Sequence, residues 1–221
     1  MMEATEGRLL LINKPLKWTS FDVVNKLRYK LKIKKIGHAG TLDPLATGLL
    51  IICTGKMTKQ IDTYQAQEKE YIGKFIIGQT TPSHDLETAC SEKKDISSIT
   101  QEQLRLTAKK FIGFIQQIPP IHSAIKLEGK RAYDLARSGK EVALKPREVN
   151  ILEFDITSID HSAVSFRIVC SKGTYIRSIA RDYGIELGVG AYLSELCRTR
   201  IGNYHLKEAV TVDEVSEVIN L

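Results

Sequence analysis

Apolar and polar residues follow two distinct periods along the chain, the two-residue period of a β-strand and the roughly 3.6-residue period of an α-helix. Residues 9–12 and 49–53 are short aliphatic runs that predict strands, the second of them buried on both faces. Residues 19–22, Thr-Ser-Phe-Asp, have the capping-box pattern that opens a helix, and the amphipathic period extends this helix to about Leu31. Residues 80–99 show neither period, so we expect a surface loop there.

The same patterns continue through the rest of the chain. They predict strands at about residues 70–77, 149–159, 164–171 and 198–204, and helices at about residues 56–64, 101–113, 133–137 and 175–187 and from Thr211 onward. Because several strand pairs are joined by short turns, we expect an α+β fold with a mixed, mainly antiparallel central sheet flanked by helices. No flexible linker or internal repeat is visible, so we expect one domain over residues 8–221 after a flexible N-terminus at residues 1–7.

Basic residues outnumber acidic ones by 32 to 26, which gives a formal charge of +6. A surplus of this size fits a polyanionic partner, and it fits a need for solubility about equally well. The bases are dense at residues 122–147, within an insertion at about residues 120–148 that we interpret as an arm able to close on a ligand. A second cationic stretch at residues 26–35 fits either a solvated helix face or an edge that contacts phosphates.

The composition also argues against several classes of protein. No run approaches the roughly 18–20 apolar residues that span a bilayer, and the N-terminus is polar, so we expect a cytoplasmic protein that does not bind membranes. The four cysteines form no C-x-x-C pair, and the five histidines are scattered, so we expect no metal site and read the cysteines as mainly buried free thiols.

The candidate for chemistry is Asp43, in a glycine-rich loop at residues 36–48 that has neither period. An aspartate before proline is most often a turn former, but His38 lies on the same loop and Arg177 opens a later helix. An arginine partner would keep a nucleophilic carboxylate ionised and aimed. Glycoside hydrolysis, which needs a second acid, stays open, because that acid can come from elsewhere in the fold.

Residues 37–48, Gly-His-Ala-Gly-Thr-Leu-Asp-Pro-Leu-Ala-Thr-Gly, resemble the signature loop of bacterial tRNA pseudouridine synthases of the TruB type. Four further segments of the family pattern follow in the expected order, at residues 10–15, 69–71, 117–126 and 170–177. The resemblance covers about residues 8–205 and implies the pseudouridine synthase fold.

The resemblance also implies the activity, which is the isomerisation of uridine 55 in the T-loop of tRNA to pseudouridine without metal or organic cofactor. The implied partner is the T-arm of tRNA, and we expect a monomer without a protein partner. In family terms Asp43 is the nucleophile, Tyr71 stacks on the flipped base and assists proton movement at C5, and Arg177 pairs with Asp43. The implied substrate-binding residues are His38, Tyr175, Leu196 and Lys14, and the implied RNA-binding residues of the arm are Lys126, Lys130 and Arg131.

The sequence departs from the family pattern in three places. Many members carry a C-terminal RNA-binding PUA domain, which we expect to be absent here, so that tRNA affinity rests on the catalytic domain. Pro82 and Thr88 stand where an acid and a glycine are expected, and Cys197 stands where an arginine is common. A non-catalytic RNA-binding or tRNA-remodelling protein, and a uridine isomerase that acts on another RNA, remain as alternatives.

Overall fold

The computed structural model describes residues 7–121, 126–127, 130–131 and 144–215, with only the backbone for 126–127 and 130–131. The described residues group into two compact units. Unit 1 holds residues 7–72 and 195–215, and unit 2 holds the described residues between 73 and 194. The single domain over residues 8–221 stays a prediction.

The described helices and strands bear out an α+β fold with a mostly antiparallel central sheet. In chain order they are β1 (Leu9–Lys14), α1 (Ser20–Leu31), β2 (Ile36–His38), β3 (Ala46–Thr54), a 3-10 helix (Gly55–Gln60), α2 (Ile61–Ala66), β4 (Lys69–Ile77), α3 (Gln101–Lys109), β5 (Gly113–Gln117), β6 (Lys126–Leu127), β7 (Lys130–Arg131), β8 (Arg147–Asp160), β9 (Ala163–Cys170), α4 (Ile176–Glu186), β10 (Ala191–Ile201), β11 (Tyr204–His205) and a 3-10 helix (Leu206–Glu208).

Unit 1 is built around β3, which pairs antiparallel with β1 and β2 and parallel with β10. Successive side chains of β3 point to opposite faces, so Leu50 packs in a cluster with Val23 and Leu27 of α1, while Leu49 and Ile51 pack in a second cluster with Tyr64 of α2. Burial on both faces explains why this segment of the sequence is continuously apolar, and it confirms the prediction.

Unit 2 contains the strand order β4-β9-β8-β5, with antiparallel pairing of β8 to both β9 and β5. Its core is aromatic: the ring of Phe75 stacks on Phe166 at a centroid distance of 4.2 Å and lies 5.6 Å from Tyr183 of α4. The Tyr183 hydroxyl donates to the Leu104 carbonyl oxygen at 2.9 Å, which ties α3 to α4. These contacts fix α4, the helix that carries Arg177.

The structure corrects five sequence predictions. The loop predicted at residues 36–48 is shorter, because residues 36–38 form β2 and residues 46–48 begin β3. The helix predicted at residues 56–64 begins as a 3-10 turn, and α3 ends at Lys109 rather than near Gly113. Strand β10 begins at Ala191, well before the predicted start at residue 198. The loop at residues 80–99 is not wholly on the surface, because Thr81, Ser83 and Asp85 are buried.

Two regions of the predictions lie outside the described residues. They are the short helix at residues 133–137 and the part of the terminal helix beyond residue 215. At the predicted start of that terminal helix, Thr211 and Glu214 exchange the capping bonds that open a helix. Within the described part of the chain, no helix combines the length and the apolar character needed to cross a membrane.

Candidate active site

Asp43 lies in unit 1 on the loop between β2 and β3, which we call the Asp43 loop (residues 39–45). The Ala46 N–H donates to the Asp43 carbonyl oxygen at 3.0 Å, which closes a tight turn with Pro44 in the position that proline favours. In β3, three residues after the loop ends, Gly48 has φ = 102°, and a Cβ there would lie 2.4 Å from the Arg198 carbonyl oxygen. Only glycine therefore lets β3 lie against β10 at the base of the loop.

The guanidinium of Arg198 donates hydrogen bonds to backbone carbonyl oxygens in and next to the Asp43 loop. This side chain is 1% exposed, and its Nε donates to the Leu49 carbonyl oxygen at 2.8 Å. Its Nη2 and Nη1 donate to the carbonyl oxygens of Gly40 at 3.1 Å and Thr41 at 3.4 Å. One buried side chain from β10 thus satisfies backbone oxygens at the start of the loop and in β3, the strand that follows it.

Ser20, the first residue of α1, holds the middle of the same loop. Its Oγ accepts from the Leu42 N–H at 2.8 Å and lies 3.2 Å from the Leu42 carbonyl oxygen. The Lys17 N–H donates to the Pro44 carbonyl oxygen at 2.8 Å. The residues on either side of Asp43 are therefore both fixed through their backbone, which restricts where the carboxylate can point.

Lys14 is fully buried beneath the loop. Its Nζ donates to the carbonyl oxygens of Pro15, at 2.9 Å, and Trp18, and lies 3.5 Å from that of Pro44. Burial lowers the pKa of Lys14 to about 8, against an opposing attraction from the Asp43 carboxylate. The structure places this predicted substrate-binding residue among backbone oxygens and within electrostatic reach of the predicted nucleophile.

His38 is the last residue of β2 and is half-buried. Burial first, and the charge of Arg198 second, lower the pKa of His38, so its ring is neutral at neutral pH. Within the described chain, its Nδ1 has no hydrogen-bond partner. A neutral ring at the end of β2, next to the Asp43 loop, can stack or insert among bases without bringing a charge into the stack.

Tyr71, predicted to stack on the flipped base, and Leu196, predicted to line the uracil pocket, both lie on strands of unit 1. Tyr71 on β4 is 8% exposed. Leu196 on β10 is half-buried and lies in parallel register with Ala46, three residues after Asp43. Unit 1 therefore brings Leu196, Lys14 and His38 to the Asp43 loop.

Arg177 lies in unit 2, in the first turn of α4, and is 3% exposed. Its Nη1 lies 3.5 Å from Oδ2 of Asp85 and donates to the Ser83 carbonyl oxygen at 3.4 Å. Sequence reasoning missed Asp85, because a single acid in a polar loop carries no signal until the fold buries it. The pairing of Arg177 with Asp43 stays a prediction.

Tyr175 comes immediately before α4 and is held by a buried glutamine. The side chain of Gln117 accepts from the Tyr175 N–H at 2.8 Å and donates to the Tyr175 carbonyl oxygen at 3.2 Å. These two bonds fix the backbone of Tyr175, one of the predicted substrate-binding residues.

The predicted RNA-binding side chains, Lys126, Lys130 and Arg131, lie outside the described residues. Their backbone forms the antiparallel pair of β6 and β7. Of the residues missed by sequence reasoning, Arg198 had one usable signal, since it interrupts a strand-like stretch with a charge. Ser20 had none beyond its place after the helix cap.

Comparison with known proteins gives consistent matches over nearly the whole chain. Residues 28–176 match the model of the TruB family pseudouridylate synthase (N terminal domain), and residues 177–221 match that of the tRNA pseudouridylate synthase B C-terminal domain. The chain is 52% identical over 224 residues to a tRNA pseudouridine synthase B of Parabacteroides distasonis, covering 99% of this chain and 95% of that protein. It is 52% identical over 217 residues to the Flavobacterium johnsoniae protein of the same name, covering 95% of each.

A solved structure shares the fold. The chain in a Cbf5-Nop10-Gar1 complex matches with a TM-score of 0.74 and 27% sequence identity, over 96% of this chain and 56% of that one. The present chain therefore spans about half the length of that solved chain.

Proposed function

Because this chain belongs to the TruB family of pseudouridylate synthases, we propose that it isomerises uridine 55 in the T-loop of tRNA to pseudouridine, with Asp43 as the nucleophile. The reaction breaks the bond between N1 of uracil and C1′ of ribose and joins C1′ to C5 of the same base. A proton leaves C5 and a proton is gained at N1. The detached base must be rejoined to the same ribose, and a carboxylate suits the covalent catalysis that this exchange needs, whether it bonds to the sugar or to the base.

The observation that carries the proposal is the fixation of the Asp43 loop. Arg198, Ser20 and Lys17 each bond the backbone of the loop that carries Asp43, at Gly40, Leu42 and Pro44. Catalytic groups held in place before the substrate arrives contribute several kcal/mol to rate enhancement. The Asp43 carboxylate attracts the buried charge of Lys14, so the two groups lie within electrostatic reach of each other.

The other site residues serve the extraction and handling of the base. The target uridine lies inside a folded loop of RNA, and flipping it out costs a few kcal/mol of stacking. We assign Tyr71 to stacking on the flipped base and assisting proton movement at C5, and Leu196 and Tyr175 to the walls of the uracil pocket. We assign the neutral ring of His38 to supporting the RNA loop that the base has left.

Arg177 is assigned to the electrostatics of the site. Its ion pair with Asp85 fixes the guanidinium in one orientation. We assign this guanidinium to pairing with the Asp43 carboxylate. Lys126, Lys130 and Arg131 of the insertion are assigned to phosphate contacts with the T-arm. We further propose that the protein acts as a cytoplasmic monomer.

The decisive experiment is tritium release from a tRNA transcript labelled at C5 of uridine. Wild-type protein is expected to release tritium, while Asp43→Asn releases none and still binds tRNA. Asp62→Asn is the matched control, because Asp62 is an exposed acid of the same unit on α2. Normal turnover by Asp43→Asn would remove it as nucleophile. Binding without release by wild type would favour the RNA-binding alternative, and release from ribosomal RNA fragments alone would favour another RNA substrate.

A further inference from the structure

Arg147, the first residue of β8 in unit 2, carries a guanidinium that the fold leaves incompletely bonded. Its Cζ lies 4.6 Å from the centroid of the Tyr175 ring, a cation–π contact. Its Nε and Nη2 are buried and have no hydrogen-bond partner in the part of the chain that the structure describes. Burying a charged donor without an acceptor is costly, so such a group is typical of a site that receives an anion.

The backbone next to this guanidinium also favours negative charge. Tyr175 is the N-cap residue of α4, and the first turn of this 11-residue helix has neither a side-chain cap nor an acidic residue. The positive end of the helix dipole therefore adjoins the ring on which Arg147 stacks. Gly173 precedes this helix and has φ = 81°, and a Cβ there would lie 3.8 Å from Nη1 of Arg147. Because glycine has no side chain, none lies between its backbone and the guanidinium.

We propose that the guanidinium of Arg147, stacked on Tyr175 at the positive end of α4, binds a phosphodiester of the RNA beside the target uridine. This rests on the proposed function, which makes RNA the substrate. Phosphate oxygens match the two unsatisfied donors, since the planar fork of arginine bonds phosphate in pairs. The stack on Tyr175 holds the fork in one plane, and Gln117 in turn holds the backbone of Tyr175.

The test removes the charge from each side of the contact in turn. T-arm RNAs carry a single neutral methylphosphonate at either of the two phosphates flanking the target uridine, and Kd is measured for wild type, Arg147→Met and Arg147→Lys. At one position the methylphosphonate is expected to weaken wild-type binding about 10-fold or more. Arg147→Met is expected to bind unmodified RNA about as weakly and to lose nothing further from the methylphosphonate, which is the signature of a direct contact.

Arg167→Met is the matched control, because Arg167 is an arginine of the same unit whose charge is already paired with Glu153 and Asp155. It is expected to keep the wild-type response to the methylphosphonate. If Arg147→Met does not fold, judged by circular dichroism, Arg147→Lys carries the test, since it keeps the charge and loses the fork.

The proposal would be overturned if the methylphosphonate weakened binding equally in wild type and in both Arg147 variants at both phosphates. Replacing a purely structural arginine weakens binding to all of these RNAs alike. Failure of the proposed function would be seen separately, as absence of tritium release by wild type, since the binding measurement requires no turnover.

Discussion

Arg198 offers the sharpest test of how the Asp43 loop is held. Replacing it with methionine keeps the aliphatic stem and removes all three bonds to the carbonyl oxygens of Leu49, Gly40 and Thr41. A hydrogen bond from a charged donor contributes about 1.5–3 kcal/mol, and the bond at 3.4 Å contributes the least. The two shorter bonds therefore contribute about 3–6 kcal/mol.

Part of this loss is offset, because the variant no longer buries a guanidinium. We expect the free energy of unfolding of Arg198→Met to fall by about 3 kcal/mol. Urea denaturation followed by the fluorescence of Trp18 measures this directly, since Trp18 is the only tryptophan and belongs to the same unit. We also expect kcat for tritium release to fall about 100-fold, the effect of a displacement of about 1 Å at a catalytic group.

A third readout follows from the charge itself. Arg198 lowers the pKa of His38, so the pKa of His38 measured by NMR is expected to rise in Arg198→Met. Arg200→Met is the matched control, because Arg200 lies on the same strand but bonds to Glu68 and Gly202, away from the loop. If the two variants share the same kcat and the same pKa of His38, the assignment of Arg198 to the loop is refuted.

Two further predictions concern other buried charges. Lys14→Met should change how stability depends on pH. The pKa of Lys14 is about 8 in the folded state and 10.5 ordinarily, so between these two pH values the folded state binds fewer protons than the unfolded state. The stability of wild type relative to the variant should therefore rise between about pH 8 and pH 10, by up to about 1.4 kcal/mol per pH unit, and a flat difference in urea denaturation would contradict this. Asp85→Asn removes the carboxylate paired with Arg177 and should lower the free energy of unfolding, measured by thermal denaturation, by about 2–4 kcal/mol. Asp95 is an exposed acid of the same loop, and Asp95→Asn should change this free energy by less than about 0.5 kcal/mol. Equal changes in the two variants would contradict the importance of the buried pair.

Local signals in the sequence were sufficient for elements whose stabilising contacts are themselves local. The bounds of α1 follow from its capping box, in which Thr19 and Asp22 exchange bonds, and α3 starts at the equivalent pair of Thr100 and Gln103. Strands β8 and β9 follow from alternation and a short turn. Each of these features needs only residues a few positions apart.

The predictions failed where distant residues decide the structure. The start of β10 at Ala191 is set by its neighbours in the sheet, and burial of Asp85 is set by Arg177, which is far away in the sequence. The position of Asp43 on a turn was predictable from Pro44. The three residues that bond the backbone of its loop were not, because the one local signal, the charge of Arg198 in a strand-like stretch, does not indicate which backbone groups it bonds.

The buried charges also change what the net charge can explain. Among the described residues, four bases are buried against one acid, Asp85; the bases are Lys14, Lys69, Arg177 and Arg198. Those charges orient backbone and a carboxylate inside the protein, so they add to the general field but are not available to contact the RNA phosphates directly. Direct phosphate contacts must come from bases that are not fully buried, which is why single variants of Arg147 or of the insertion lysines should have measurable effects.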